Sequence, residues 1–191
     1  MQQILYRSQY DGGDFQSGTE HRWEDSADTR RYPSDRCRTG HWTVRTWTGT
    51  GYMQMGISLS KGKNPVINAR VETVMDKPSF QNGILYHRLL IPAGGFYEWN
   101  SLKEKSTFTR PDSSVLYMAG FCDWFENERR FVILTTTANN SMKKIHDRMP
   151  LILEREQITD WFDNNKMPVL LHQTPTQLNR QTEYEQQSLF S

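Results

Sequence analysis

Three short polar islands set in apolar sequence hold the side chains of this chain that could do chemistry. The first is Ile145-His146-Asp147-Arg148-Met149-Pro150, between the apolar runs Phe131-Val132-Ile133-Leu134 and Leu151-Ile152-Leu153. Both runs read as buried strands, so an imidazole, a carboxylate and a guanidinium fall where a pocket wall would be. An imidazole titrates near neutral pH, which makes His146 a candidate proton shuttle; the alternative is a loop in which His146 and Arg148 only cap strand ends. The second island is Val66-Ile67-Asn68-Ala69-Arg70-Val71-Glu72-Thr73. At strand period Asn68, Arg70 and Glu72 share one face and Ile67, Ala69 and Val71 the other. Asn68 can donate and accept at once, which suits positioning an amine or a sugar oxygen. The guanidinium groups of Arg70 and Arg148 match phosphate bidentately. The third is Leu89-Leu90-Ile91-Pro92-Ala93-Gly94-Gly95-Phe96-Tyr97-Glu98-Trp99. A carboxylate between Tyr97 and Trp99 would be desolvated if buried, as an acid or base requires; the alternative is an edge-strand glutamate facing water beside two core aromatics.

The elements that must position these groups are mostly strands. Apolar runs and alternation predict strands over 66–71, 89–91, 96–99, 115–121, 131–135 and 151–153, with a short one at 168–172. Helices are expected over 139–145, opened by a polar cap, and over 154–162, with Ile158, Trp161 and Phe162 as its inner stripe. Trp99, Trp124 and Trp161 are expected to be core residues. The pattern is α+β. The 191 residues suit one domain, and 36% hydrophobic residues can furnish a core. A net charge of +1 leaves any nucleic-acid contact to a local basic stripe. Two cysteines, Cys37 and Cys122, offer no disulfide framework and no metal-ligand spacing. No metal or cofactor is expected. No apolar run is long enough for a membrane span or a signal peptide, so a cytoplasmic protein is expected.

The three islands together resemble the SRAP family, the SOS-response-associated peptidase-like proteins that crosslink to abasic DNA. The family pattern is N-A-R-x-E-T, then I-P-A-x-x-F-Y-E-W, then T-x-x-A-N-x-x-M-x-x-I-H-D-R-M-P. This sequence carries each in order, with Met142 and Ile145 in the last. The resemblance runs from about Lys61 to Tyr184-Glu185-Gln186-Gln187-Ser188-Leu189-Phe190. It implies a strongly curved, largely antiparallel sheet or open barrel with a few flanking helices. It also implies a monomer that binds single-stranded DNA containing abasic sites, nucleoid-associated when bound. Asn68, Glu98 and His146 match the family's catalytic positions, and Arg70 and Arg148 its DNA-contacting ones; Asp147 is expected to orient a neighbour. In the implied chemistry an N-terminal cysteine attacks the sugar aldehyde with its amine, then closes through sulfur to a thiazolidine. The alternatives are a cysteine-type autopeptidase, a non-catalytic DNA-binding relative, and, from the residues alone, a His/Glu nuclease.

The family's nucleophile directly follows the initiator methionine in a C-G-R motif ending in Phe or Tyr. Gln2 stands there, and an R-W-G motif expected before Asn68 is absent. Neither Cys37 nor Cys122 can stand in, because the reaction uses the amine and thiol of one residue. Crosslinking is therefore expected to be lost from the chain as written. Residues 1–60 also contain only five Ile, Leu or Val against 25 in the remainder, no lysine, seven arginines and seven of the twelve glycines. So little aliphatic surface poorly offsets ordering entropy. The genetic code supplies an account. Met1-Gln2-Gln3 requires ATG CAR CAR (R, purine), which from its second base reads Cys, then Asn or Ser, then Lys or Arg. Met53-Gln54-Met55-Gly56 in the same shifted frame reads Cys, Lys or Arg, Trp, and a codon that permits Gly. Residues 1–60 are therefore read as an anomalous N-terminal segment, a frameshifted or disordered SRAP N-terminus with the frame restored near 58–63, and residues 61–191 as the SRAP domain. The alternative is a divergent, inactive relative.

Overall fold

The computed structural model of the protein describes residues 3–5, 41–46, 49–57, 65–112, 114–125 and 128–182. Gln2, Cys37, the 58–63 stretch and the 184–190 stretch lie outside the described residues. The described chain is mixed α+β and mostly sheet. Its strands are β1 (Gln3–Leu5), β2 (His41–Thr46), β3 (Gly49–Met55), β4 (Asn68–Arg70), β5 (Arg88–Ala93), β6 (Gly95–Trp99), β7 (Lys105–Thr109), β8 (Leu116–Phe125), β9 (Glu128–Thr137), β10 (Arg148–Pro150), β11 (Ile152–Leu153) and β12 (Asn179–Thr182). The helices are α1 (Pro78–Tyr86), α2 (Ile158–Phe162) and α3 (Met167–Leu171).

These strands divide into two sheets rather than one strongly curled sheet or open barrel. One sheet has the order β1-β6-β7-β12; the larger runs β10-β9-β3-β2-β5-β8-β11, with β4 on β9 and a further β8–β9 pairing. The chain passes between sheets at Gly94, where β5 ends and β6 begins. Alternation along the strands explains the layering. Leu89, Ile91 and Ile133 join Phe96 and Phe108 of the smaller sheet in one core. Leu90, Val132 and Leu134 point the other way, into a second core with Phe80 and Ile84 of α1 and Trp161, Met167 and Leu171 of the C-terminal helices. Strands covered on both faces must be apolar at every position, which is why their sequences read as unbroken runs.

Several sequence expectations need correction. The 139–145 stretch turns without becoming a helix. Its polar cap forms, with the Ser141 amide donating to Asn139 Oδ1 at 3.0 Å, but Asn139 is also tied to the carbonyls of Pro175 and Thr176. Backbone bonds return to Asn139 and Met142 only, giving successive turns. The 168–172 stretch is helix α3, whose Pro168 sits in the first turn where its missing N–H costs nothing. The 154–162 stretch begins as a 3-10 turn with a capping box from Glu154 and Gln157 and only then becomes α2. Trp161 is fully buried, whereas Trp124 is 59% exposed and lies beside Arg129 instead of in a core. Trp99 is only partly buried. Helix α1 has no counterpart among the elements expected from sequence. It presses onto β8 at Gly83, where any Cβ would run into the Phe121 ring.

Arg88 locks the helices to the larger sheet. It is buried, and its guanidinium donates to the carbonyls of Ile84 (2.7 Å) and Leu85 (3.1 Å) at the end of α1. It also donates to Trp161 O (2.7 Å), Phe162 O (2.9 Å) and Asn164 Oδ1 (2.7 Å) at the end of α2. Carbonyls at helix C-termini lack intrahelical donors and carry partial negative charge, so a cation there satisfies both ends together. Burial pushes the Arg88 pKa down and nearby Asp163 opposes it. Arg88→Met should strip these acceptors of their donor and cost roughly 3 kcal/mol or more. Urea unfolding measures it; a loss below about 1 kcal/mol would mean that water satisfies those carbonyls unaided.

Candidate functional site

The C-terminal half of β9 gathers the second island and the first. β4 runs parallel to it, with Asn68 opposite Ile133, Ala69 opposite Leu134 and Arg70 opposite Thr135. β10 runs antiparallel on its other side, with Arg148 opposite Thr137 and Pro150 opposite Thr135. The expected facing of the second island holds: Ala69 and Val71 are buried and Arg70 is exposed. Asn68 sits beside Ile133, which faces the core shared with the smaller sheet, so its side chain is directed to that interior. Its Oδ1 is buried and has no hydrogen-bond partner.

Glu98 comes from the smaller sheet. It shares a face of β6 with Phe96, a residue of that same core, and only 5% of it is exposed. Tyr97 and Trp99 take the opposite, partly exposed face, and the Lys105 ammonium lies 3.9 Å from the Tyr97 ring centre. The carboxylate is therefore the inward group and the aromatics the outer ones, the reverse of an edge-strand glutamate facing water. Its Oε1 accepts the Trp99 amide at 3.3 Å. Directly across β7 stands Ser106, 1% exposed, whose hydroxyl has no partner. β1 flanks β6 on its other side and enters beside Tyr97, with Gln3 opposite it, next to Glu98 in the chain.

His146 lies in the bend before β10, with 43% of its side chain exposed. The Arg148 amide, an obligate donor, points at Nδ1 from 2.9 Å. Neutral imidazole thus keeps its proton on Nε2. Asp147 Oδ1 and the Arg148 carbonyl, each 3.2 Å from Nδ1, become acceptors when the ring is protonated. The Asp147 side chain is itself 83% exposed.

Arg148 reaches across β9. Its Nη1 and Nη2 donate to the two oxygens of Glu72 at 2.7 and 2.8 Å, and Nη2 also donates to Thr135 O at 2.5 Å. Val71 N donates to that same carbonyl at 3.0 Å. Of the two arginines, Arg70 is the outward one and Arg148 is committed to a carboxylate. Nothing in the spacing of Arg148 and Glu72, 76 residues apart, announced that pair. Cys122 is buried in the inter-sheet core, and burial raises its thiol pKa, so it makes a poor nucleophile. Among the described residues no group of three or more His, Cys, Asp or Glu could hold a metal ion, and no helix is long and apolar enough to cross a membrane.

A two-sheet α+β domain with these islands matches the family model for SOS response associated peptidase (SRAP) over residues 27–187. The chain belongs to the SRAP family. It is 36% identical over 107 residues to the abasic site processing protein YoaM of Bacillus subtilis, covering 51% of this chain and 47% of that one. The corresponding figures for abasic site processing protein YedK of Escherichia coli are 34% over 111 residues, 52% and 48%. For the abasic site processing protein HMCES of Gallus gallus they are 28% over 138 residues, 57% and 41%. The alignments thus span about half, or less, of these relatives' lengths. The fold is similar to a solved protein of Bacteroides thetaiotaomicron, with TM-score 0.66 and 22% identity over 79% of this chain and 77% of that one. A Bordetella bronchiseptica protein gives 0.64 and 20%, over 74% and 83%.

The hydrogen bonds from Arg148 hold the Glu72 carboxyl below its ordinary value of 4.5, although partial burial pushes the other way. A carboxylate depressed on folding contributes stability above its unfolded pKa, and that contribution disappears as pH falls through the folded value. Glu72 is nearly half exposed, so solvent screening limits the pair to about 0.5 kcal/mol. Glu72→Gln should cost about that near neutral pH and nothing near pH 2, by denaturant titration. An equal difference at both pH values would remove the ion pair as its cause.

Proposed function

We propose that this chain is built for abasic-site processing: it binds single-stranded DNA and holds the ring-opened sugar aldehyde between the β4 and β6 faces. What supports the reading is a buried, unpartnered acceptor, Asn68 Oδ1, beside Ile133 and a buried carboxylate, Glu98, beside Phe96, with Ile133 and Phe96 in one inter-sheet core. Orphaned buried polar atoms are rare and costly, and they are kept where a ligand completes them. A terminal ammonium or a sugar hydroxyl would complete Asn68.

The covalent step needs an amine and a thiol on one residue. The amine adds to the aldehyde carbon, water leaves as the imine forms, and S–H then adds across C=N to close the thiazolidine. Glu98 suits taking a proton from the amine and returning it to the departing hydroxyl, while the partly exposed His146 shuttles protons. Arg70 is the outward phosphate contact. Peptidase chemistry would use the same amine–thiol residue. The protein is read as a cytoplasmic monomer.

Gln2 supplies no thiol, and the same proposal extends to the reading frame. An ATGTGC start that loses one TG reads ATGC, the start as written. At the other end, Gly56 has φ of +100° and a Cβ there would stand 3.0 Å from Pro65. That backbone requires glycine, and the shifted codon still permits it while turning Gln54-Met55 into Lys or Arg followed by Trp. Both positions lie on β3, against Arg130 and Phe131 of β9.

Incubation with abasic single-stranded DNA separates the readings on a denaturing gel. The polypeptide as written should give no adduct that survives boiling, and a protein restored to Met-Cys should give one. In that restored protein His146→Ala should slow adduct formation by roughly 10²- to 10⁴-fold, and Glu98→Gln should impair it without unfolding the domain. Unchanged rates in both would make these residues structural. A cut DNA strand would favour a nuclease, and cleavage of added peptide a peptidase. Resequencing the gene at the start codon and at the codons for 58–63 should find two compensating length changes. Confirmation of the written frame would leave a divergent, non-crosslinking relative.

A further inference from the structure

We infer that Glu72 competes with a DNA phosphate for the Arg148 guanidinium, and so sets the affinity and salt dependence of single-strand binding at the β4–β9–β10 edge. The inference rests on the reading of this chain as a DNA-binding protein, and deepens it.

Arg148 has no outward donor edge left. The Nη1/Nη2 fork is closed by the two oxygens of Glu72. Nη2 is shared with Thr135 O, and Nε is buried without a partner. A carboxylate and a phosphate present the same pair of oxygens to that fork, so both cannot occupy it together. The order of burial decides which member is the removable one. The Arg148 side chain is 16% exposed and that of Glu72 46% exposed, so anything arriving from solvent meets the carboxylate first. Arg148 keeps its place if Glu72 leaves, because the Thr135 carbonyl still holds Nη2 from within the sheet.

Glu72 opens the turn after β4, tied by the Thr73 amide to Arg70 O at 3.2 Å and the Asp76 amide to Thr73 O at 3.2 Å. These bonds involve the backbone alone, so the Glu72 side chain can swing out while the turn stays formed. Arg70, two residues earlier, adds to the field that keeps Glu72 ionised. The cluster therefore holds two cations and one anion. A phosphate seated on Arg70 would draw a neighbouring phosphate toward Arg148 and repel Glu72. Glu72 is in this account a specificity-determining residue: it keeps anions off Arg148, and even a strand held by Arg70 displaces it only in part.

The test uses the polypeptide of this sequence and unmodified oligo-dT, which contains no aldehyde and so reports binding without covalent chemistry. Fluorescence anisotropy is measured across a salt series for the wild type, Glu72→Gln, Glu72→Asp, Arg148→Ala and the Glu72→Gln/Arg148→Ala double variant. Glu72→Gln should tighten binding about two- to five-fold at low salt, the worth of one exposed ion pair released. Its plot of log K against log salt should steepen by about 0.7, one further phosphate contact on a single strand. Glu72→Asp keeps the charge but shortens the reach to the fork, and should show the steeper slope with a smaller gain in affinity. The double variant should bind as Arg148→Ala does. A steeper slope in Glu72→Gln that survives in the double variant would overturn the inference, because the new contact would not be Arg148. Weaker binding in Glu72→Gln, or an unchanged slope in both single Glu72 variants, would overturn it by making Glu72 a strut that merely positions Arg148. If the wild type and every variant leave oligo-dT unbound at low salt, the DNA reading falls and takes this inference with it. Thermal melts accompany each protein, and Glu72→Asp carries the test should Glu72→Gln prove unstable.

Discussion

The carbonyl of Thr135 accepts from two donors, the Val71 amide and the Arg148 guanidinium. Through it the end of β9 is held from both sides, by a parallel strand from one part of the chain and an antiparallel strand from another. A parallel neighbour cannot be reached by a tight turn, so β4 must arrive from far upstream, and its polar face comes with it. The bend that carries His146 is then fixed by the strand beyond it: β10 must return to Thr135–Thr137, and Arg148 must cross to Glu72. β4 and β10 are each only three residues long, and flanking bonds from Ile133 N to Ile67 O, Leu151 N to Leu134 O and Ala138 N to Asp147 O extend the register that this carbonyl joins.

Among the described residues the inter-sheet core is built largely of apolar side chains, which makes the polar groups beside it informative. Glu98 and Ser106 face each other across β6 and β7 immediately beside the stacked Phe96–Phe108 pair, whose rings lie 5.2 Å apart. Asn68 enters the same interior from the larger sheet. A core of this composition would be more stable with aliphatic residues at these positions, since buried polar groups recover their desolvation cost only through partners. The Arg88 clamp, by contrast, shows a buried charge with every reason to be structural: its partners are helix-end carbonyls and an amide oxygen, and it faces the other core.

Much of this was legible in the sequence because it depends on period. The alternation of 66–73 correctly separates Ala69 and Val71 from Arg70, and the unbroken runs at 89–91 and 131–134 correctly mark strands covered on both faces. What escaped depends on distant partners. The 139–145 stretch has a helix-like opening, but the pull of Pro175 and Thr176 on Asn139 is invisible locally. The 168–172 run, Pro-Val-Leu-Leu-His, is as short and apolar as a strand, and only its packing beside Trp161 makes it a helix. Glu98 between two aromatics leaves both a desolvated carboxylate and an edge-strand glutamate open in the sequence, and burial decides for the first. The second sheet is what buries it, because its inner face is β6's Phe96 and Glu98 face.

The N-terminal strands set composition against geometry. Residues 1–60 are poor in Ile, Leu and Val, yet β2 pairs with both β3 and β5 near the middle of the larger sheet, and β3 also pairs with β9. Without these strands β5 and β9 would present open edges to solvent, a hazard that sheets generally cover. The need for strands at these places is therefore imposed by the well-patterned remainder of the chain. Backbone pairing depends little on side-chain identity, but burial on a central strand does. Where β3 side chains are described, the second requirement is met as well: Met53 is buried in the inter-sheet core. Gly56 beyond it meets a backbone demand of its own: its φ of +100° and the Pro65 side chain 3.0 Å from any added Cβ admit only glycine.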